Sequence, residues 1–247
     1  MMIAVLGAGS WGTTLADLLA RKAEAQVRIW AYEPEVVEAI NSRHENPVFL
    51  PGTTLDDRLA AYGDARRAVE GADLVLSVIP SHAVRSVVSR LRGAVPSGTI
   101  VVSATKGIEI ESLKLMSEVL GENLDAPRIA ILSGPSFAEE VGAGEPTAVV
   151  AAAERQETAD RVQEVFSTPV FRVYSNLDVI GVQLAGALKN VIAIAAGMIE
   201  GLGLGNNPRA ALVTRGLAEI TRVGVARGAD PMTFAGLAGL GDLLLTT

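Results

Sequence analysis

Short, nearly unbroken apolar runs recur through the first 176 residues, each followed by glycine, proline or serine and then by apolar positions at helical spacing. Met2-Ile3-Ala4-Val5-Leu6 is the first such run. Gly7-Ala8-Gly9-Ser10-Trp11-Gly12 breaks it, and Leu15, Leu18 and Leu19 then recur on one helical face. Runs of this length suit strands buried on both faces and are far too short to cross a bilayer. Residues 26–30 are a second strand, followed by a helix that opens at Pro34, where proline is tolerated. Residues 72–79, 99–103 and 128–132 are the third, fourth and fifth strands. Residues 147–153 and 170–174 add two more, with a helix over 155–166 between them. Residues 44–63 read as an irregular loop, marked by Pro47, Pro51 and Gly52. Strand-helix repetition of this kind predicts an α/β fold with a doubly wound parallel sheet.

Past Asn176 the pattern changes to alanine-, leucine- and glycine-rich helix, so a domain boundary is placed there, giving 1–176 and 177–247. Residues 179–199 have the length of a membrane span, but Gln183, Lys189 and Asn190 at its middle would each be costly in lipid. The segment is instead expected to be the central helix of an all-α lobe, with Gln183, Gly186, Asn190 and Gly197 on one face. Lys189 is flanked by Leu188, Val191 and Ile192 on a helix apolar nearly all round, which predicts burial and a lowered pKa. A lysine whose head snorkels to water from a half-buried helix is the alternative. The glycines of 201–205 suggest close helix contacts, within the chain or in a homodimer.

Composition narrows the function. A formal net charge of −7 argues against nucleic acid as the main partner, since phosphate backbones are bound through basic surface. Cysteine is absent and the only histidines are His44 and His82, so no disulfide framework, thiol nucleophile or zinc site is expected. With aromatics at 4%, the core should be aliphatic. No charged segment precedes the first apolar run, as a signal peptide would require, and a cytoplasmic setting follows as the default.

The candidate chemistry lies where the strands end. G-x-G-x-x-G between an N-terminal strand and a helix is the context of a dinucleotide fingerprint. Gly7 makes the turn, Gly9 admits a pyrophosphate, Gly12 lets the helix pack close, and the phosphates sit on the helix N-terminus. An acid closing the second strand would bond a ribose hydroxyl. Glu33 is near that place, although it serves equally as a helix start, so the sequence leaves NADH and NADPH both open. Phe49 either stacks near a nucleotide or pins its loop to the core. His82, after Pro80-Ser81, is a candidate proton donor or an ordinary capping histidine. Lys106, in Ala104-Thr105-Lys106-Gly107, is the only charged residue between Arg92 and Glu109, and points a cation at the same crevice. Ser133-Gly134-Pro135-Ser136-Phe137-Ala138 lacks the last glycine of a nucleophile elbow, and offers N–H groups and a hydroxyl to an anion.

Taken with the helix from Gly181 to Val191 and with Gly239-Leu240-Gly241-Asp242-Leu243, these motifs resemble bacterial NAD(P)-dependent glycerol-3-phosphate dehydrogenase over the whole length. The resemblance implies a Rossmann-type domain followed by an all-α substrate-binding domain, incomplete here. It implies reversible reduction of dihydroxyacetone phosphate by NADPH or NADH, making sn-glycerol 3-phosphate for phospholipid synthesis. It implies that Lys189 is the general acid and base. Lys106, Gly134, Ser136, Lys189, Asn190 and Asp242 would bind substrate. Gly7, Gly9, Ser10, Trp11, Gly12, Tyr32, Phe49, Lys106 and Ala138 would line the cofactor site. Two departures stand out. Ala31-Tyr32 replaces the family's basic residue after the second strand, and an Arg-Asn pair that the family carries further on has no counterpart up to Thr247, as expected of a chain either truncated or naturally short. The rival functions are a hydroxyacid dehydrogenase binding a carboxylate, and a dinucleotide-binding module without catalysis.

Overall fold

A computed structural model describes residues 1–22 and 25–247. Its strands are β1 (Met2–Leu6), β2 (Gln26–Trp30), β3 (Glu45–Asn46), β4 (Leu50–Thr54), β5 (Ala60–Tyr62), β6 (Leu74–Ser77), β7 (Ile100–Ser103), β8 (Arg128–Ser133), β9 (Thr147–Ala153) and β10 (Phe171–Asn176). Among the described residues, eight of these form one sheet in the order β10-β9-β8-β7-β6-β1-β2-β5, and β3 pairs with β4 separately. β1 has β2 on one side and β6 on the other, both parallel to it. The order of the chain therefore reverses beside β1, and a crevice opens there at the carboxyl ends of the strands.

Alternation along β1 explains the unbroken apolar run. Ile3 and Val5 enter one core cluster with Leu15, Leu19 and Ile29, while Ala4 and Leu6 enter another with Val84, Val88 and Val119. Both faces of the sheet are covered by helices, so both sets of side chains must be apolar. The core is mostly aliphatic, but three phenylalanines, Phe166, Phe171 and Phe234, are fully buried in it.

The sheet departs from the expected all-parallel arrangement at one place: β8 and β9 are antiparallel. Their connection carries only the five-residue helix Ala138–Gly142. Such a helix rises about 8 Å, too little to return the chain along a strand of roughly 20 Å, so β9 runs straight back. The stretch over 44–63 is not wholly irregular either. It contains β3 and β4, which pair antiparallel, and β5, which extends the sheet parallel to β2. Pro51 and Gly52 lie within β4, outside the main sheet, where proline costs no central ladder bond.

An all-α region follows the sheet, with helices Val179–Gly201, Asn206–Ala226 and Pro231–Ala235, a π-helical turn Leu237–Gly241 and a last helix Asp242–Thr246. Asp178 caps the first of these through Gly181 N–H (2.8 Å) and also accepts from Asp230 N–H and Thr233 Oγ1, tying two helix starts together. Helix Val179–Gly201 is long and apolar enough to span a bilayer, but it packs its first half into the protein. Gln183 bonds Ser117 through both ends of its amide. The predicted single face of this helix divides along its length. Gln183 and Gly186 are buried, Asn190 is exposed and Gly197 adjoins open space. Val191, Ile194 and Met198 are likewise exposed, so burial does not extend around the whole helix. Gly201 ends the first long helix, and Gly203 and Gly205, both at positive φ, lie in the turn that leads to the second.

Candidate active site

The crevice is built from the ends of β1, β6, β7 and β8. Gly7, at φ 110°, turns the chain off β1, and helix Ser10–Ala20 starts three residues later. A Cβ at Gly12 would overlap the carbonyl oxygen of Gly7, so helix and turn pack as closely as glycine alone permits. Gly9 is the opposite case. A Cβ there would meet nothing within 4 Å, and among the described residues no side chain caps the first turn of the helix. The space beside Gly9 is thus clear at the positive end of the helix, which fits the pyrophosphate of a dinucleotide.

A cleft of about 360 Å³ runs from this turn across the strand ends, lined by Ser10, Trp11, Ile79, Lys106, Ser136 and Ala138 among others. Four separate sequence motifs therefore meet in one place. Thr105 Oγ1 donates to the carbonyl of Ile79 (2.8 Å) and Ala104 N–H to that of Ser77 (2.9 Å), hooking the loop after β7 onto the end of β6. Ser136 Oγ turns back to the carbonyl of Gly134 (3.1 Å). Gly134 itself lies against β9, at φ 147°.

Lys106, which lines the cleft, is one of two lysines that share one carboxylate. Lys106 Nζ meets Asp242 Oδ2 at 2.5 Å, and Lys189 Nζ meets Asp242 Oδ1 at 2.5 Å. Lys189 Nζ also donates to Thr246 Oγ1 (2.6 Å) and, at 3.3 Å, to the carbonyl of Asp242. Asp242 is fully buried and Lys189 nearly so, while the Lys106 side chain keeps 28% of its surface exposed. The snorkelling alternative for Lys189 is thus excluded by its partners. Burial lowers the Lys106 pKa to about 8, against the attraction of Asp242 and with the help of the Lys189 charge.

Two glycines make this meeting possible. A Cβ at Gly186 would approach Ser133 Oγ to 2.9 Å and the Lys106 stem to 3.7 Å, so its absence lets helix Val179–Gly201 sit on the end of β8 and deliver Lys189 one turn further on. A Cβ at Gly239 would overlap the backbone of Phe234, so only glycine allows the π-helical turn that presents Asp242. Ser133 Oγ is buried and has no hydrogen-bond partner among the described residues.

The remaining candidates lie outside this cluster. Tyr32 is exposed beyond the end of β2. Glu33 is the residue before helix Pro34–Arg43, without a side-chain cap bond. Phe49 is partly buried and packs against the main core together with Trp11. His82 is exposed in the first turn of helix Ser81–Val88, and Asn190 is exposed beside Lys189. Asn46, which carried no role in the sequence, is fully buried beneath the glycine turn.

Comparison with known proteins agrees with this geometry. Residues 2–159 match the model of the NAD-dependent glycerol-3-phosphate dehydrogenase N-terminus and residues 178–247 that of its C-terminus. A glycerol-3-phosphate dehydrogenase [NAD(P)+] of Citrifermentans bemidjiense is 57% identical over 99% of this chain and 73% of its own length. The crystal structure of glycerol-3-phosphate dehydrogenase from Coxiella burnetii superimposes with a TM-score of 0.94 at 43% identity, covering 99% of this chain and 74% of that one. The corresponding Plasmodium falciparum structure gives 0.93 at 26% identity, covering 100% and 72%. The chain spans about three quarters of the length of these relatives.

Proposed function

This chain belongs to the NAD-dependent glycerol-3-phosphate dehydrogenase family and interconverts dihydroxyacetone phosphate and glycerol 3-phosphate with NAD(P), and from that premise we propose that Lys189 is its general acid and base. Reducing a ketone needs a hydride at carbon and a proton at oxygen. The nicotinamide supplies the hydride when bound, and the protein must supply the proton. The observation that carries the assignment is the Lys106–Asp242–Lys189 cluster, which joins the cleft through Lys106. An ammonium has three N–H donors and no acceptor. Asp242 fixes one donor of Lys189, and the substrate oxygen takes the place that Thr246 Oγ1 holds in the free protein. From there Lys189 gives its proton to the developing alkoxide, and in the reverse direction removes it.

Lys106, the more exposed cation, binds the substrate with Gly134 and Ser136. Ser10, Trp11 and Ala138 belong to the cofactor side, with Gly7, Gly9 and Gly12 shaping the pyrophosphate turn, and Tyr32 and Phe49 lie toward its far end. In this division of labour residues 1–176 bind the dinucleotide and 177–247 bring the proton donor. The product feeds glycerophospholipid synthesis in the cytoplasm, where the NAD(P)H pool lies. Two ammoniums against one carboxylate leave a positive charge for an anionic substrate, and charge-assisted contacts are about twice as strong as neutral ones. Dihydroxyacetone phosphate should therefore be reduced far more efficiently than dihydroxyacetone, and Lys106→Met should narrow that preference. Equal kcat/KM for the two ketones in the wild type would contradict it.

A further inference from the structure

Asn46 has no part in the chemistry above, yet it is fully buried and all of its polar capacity is directed at the glycine turn and the adjoining loop. Its Nδ2 donates to the carbonyl oxygen of Ala8 (2.8 Å) and to Thr13 Oγ1 (2.8 Å), and its Oδ1 accepts from Phe49 N–H (3.2 Å). Thr13 Oγ1 donates in turn to the same Ala8 oxygen (3.1 Å). This orientation of the amide is the one that gives the carbonyl a donor and the N–H an acceptor. β3 holds the side chain in place, opposite Leu50 in the pairing with β4.

Ala8 lies in the middle of the Gly7-Ala8-Gly9 turn. A trans peptide plane points its C=O and N–H in opposite directions. A carbonyl of Ala8 drawn into the protein by two donors therefore turns the N–H of Gly9 outward, into the clear space beside Gly9. Without those donors the plane can rotate and set an oxygen, rather than an N–H, before an anion. We infer that Asn46 is a positioning residue for the dinucleotide: it fixes the peptide plane that presents Gly9 N–H to the pyrophosphate and, through Phe49 N–H, ties the loop after β3 to the same turn. The inference rests on the proposal that the glycine turn holds the cofactor, and goes beyond it in naming what keeps the turn in its binding form.

Two substitutions test it in the whole chain. Asn46→Asp keeps the size of the side chain and the acceptor for Phe49, but sets a carboxylate oxygen against the Ala8 carbonyl. Thr13→Val removes the second donor and keeps the shape. By NADH titration, Asn46→Asp should raise Kd about ten- to a hundredfold and Thr13→Val by less. Competition by inorganic pyrophosphate should weaken in parallel, while kcat at saturating NADH and KM for dihydroxyacetone phosphate stay within about twofold of the wild type. A purely structural role would lower the fraction of protein that binds and leave the Kd of the folded remainder unchanged. Gly9→Val is the reference, because its side chain would fill the pyrophosphate's place. Unchanged NADH affinity in folded Asn46→Asp, with binding lost in Gly9→Val, overturns the inference alone. Unchanged affinity in both also overturns the placement of the cofactor. Should Asn46→Asp fail to fold, Thr13→Val decides, and unchanged affinity there overturns the inference.

Discussion

Both oxygens of Asp242 are taken by ammonium groups, so the cluster carries one surplus positive charge, and its more exposed end is Lys106. Burial holds the Lys106 pKa at about 8, which gives the substrate interaction a pH dependence of definite sign. Below that value the group is a cation able to pair with phosphate; as pH rises through it the charge is lost. A phosphate monoester, with its second pKa near about 6, stays dianionic throughout this window. KM for dihydroxyacetone phosphate should therefore rise between about pH 7 and pH 9 while kcat changes less, with Lys106→Arg removing the rise. A flat KM over that range would mean that the Lys106 charge does not hold the substrate. Some of this cluster is legible locally. Lys106 stands alone among uncharged residues at a strand end, and Lys189 lies in an apolar helix whose pattern implies burial. The pairing is not legible, because Asp242 meets Lys189 across 53 positions and Lys106 across 136, and no periodicity encodes such a contact. Asn46 is hidden for the same reason, since Thr13 and Ala8, to which its amide nitrogen donates, are 33 and 38 positions away.

At the scale of elements, the site depends on turns that only glycine can make. The turn Leu237–Gly241 sets where Asp242 begins the last helix, and a Cβ at Gly239 would collide with backbone rather than with a side chain able to move aside. Gly239→Ala should cost about 1–3 kcal/mol of stability through overpacking. It should also shift Asp242 away from the two lysines, lowering turnover while NADH affinity persists, because the glycine turn beside β1 is untouched. Denaturant unfolding with an NADH titration checks both halves, and normal turnover would show that the placement of Asp242 is not held by this turn. Strands buried on both faces are visible in sequence because burial demands unbroken apolar runs, as in β1 and β6. The direction of β9 is not visible, since the same residues fit a parallel or an antiparallel ladder and the shortness of the intervening helix decides. β5 is missed because three residues, Ala60–Tyr62, are too few to show a period, and pairing with β2 alone makes them a strand.

In the whole molecule the three charged groups of the cluster, Lys189, Lys106 and Asp242, come from a helix, a sheet loop and the start of the last helix of the all-α region, so they meet only when that region packs on the sheet. The fold class, a sheet domain followed by an all-α region, is legible because it is carried by many residues at once. How the all-α region meets the sheet is not, because it hangs on single close approaches such as Gly186 against Ser133. The net charge of −7 makes the positive cluster a local exception that an anionic substrate must find. The most direct test of this account is steady-state turnover of dihydroxyacetone phosphate by Lys189→Met and Lys106→Met, each compared with the wild type at saturating NADH. Loss of a general acid lowers kcat, whereas loss of a binding charge raises KM. The account predicts that Lys189→Met keeps cofactor affinity and loses at least ~10²-fold in kcat, and that Lys106→Met acts mainly on KM. Wild-type kcat in Lys189→Met would contradict it and move the proton to another donor.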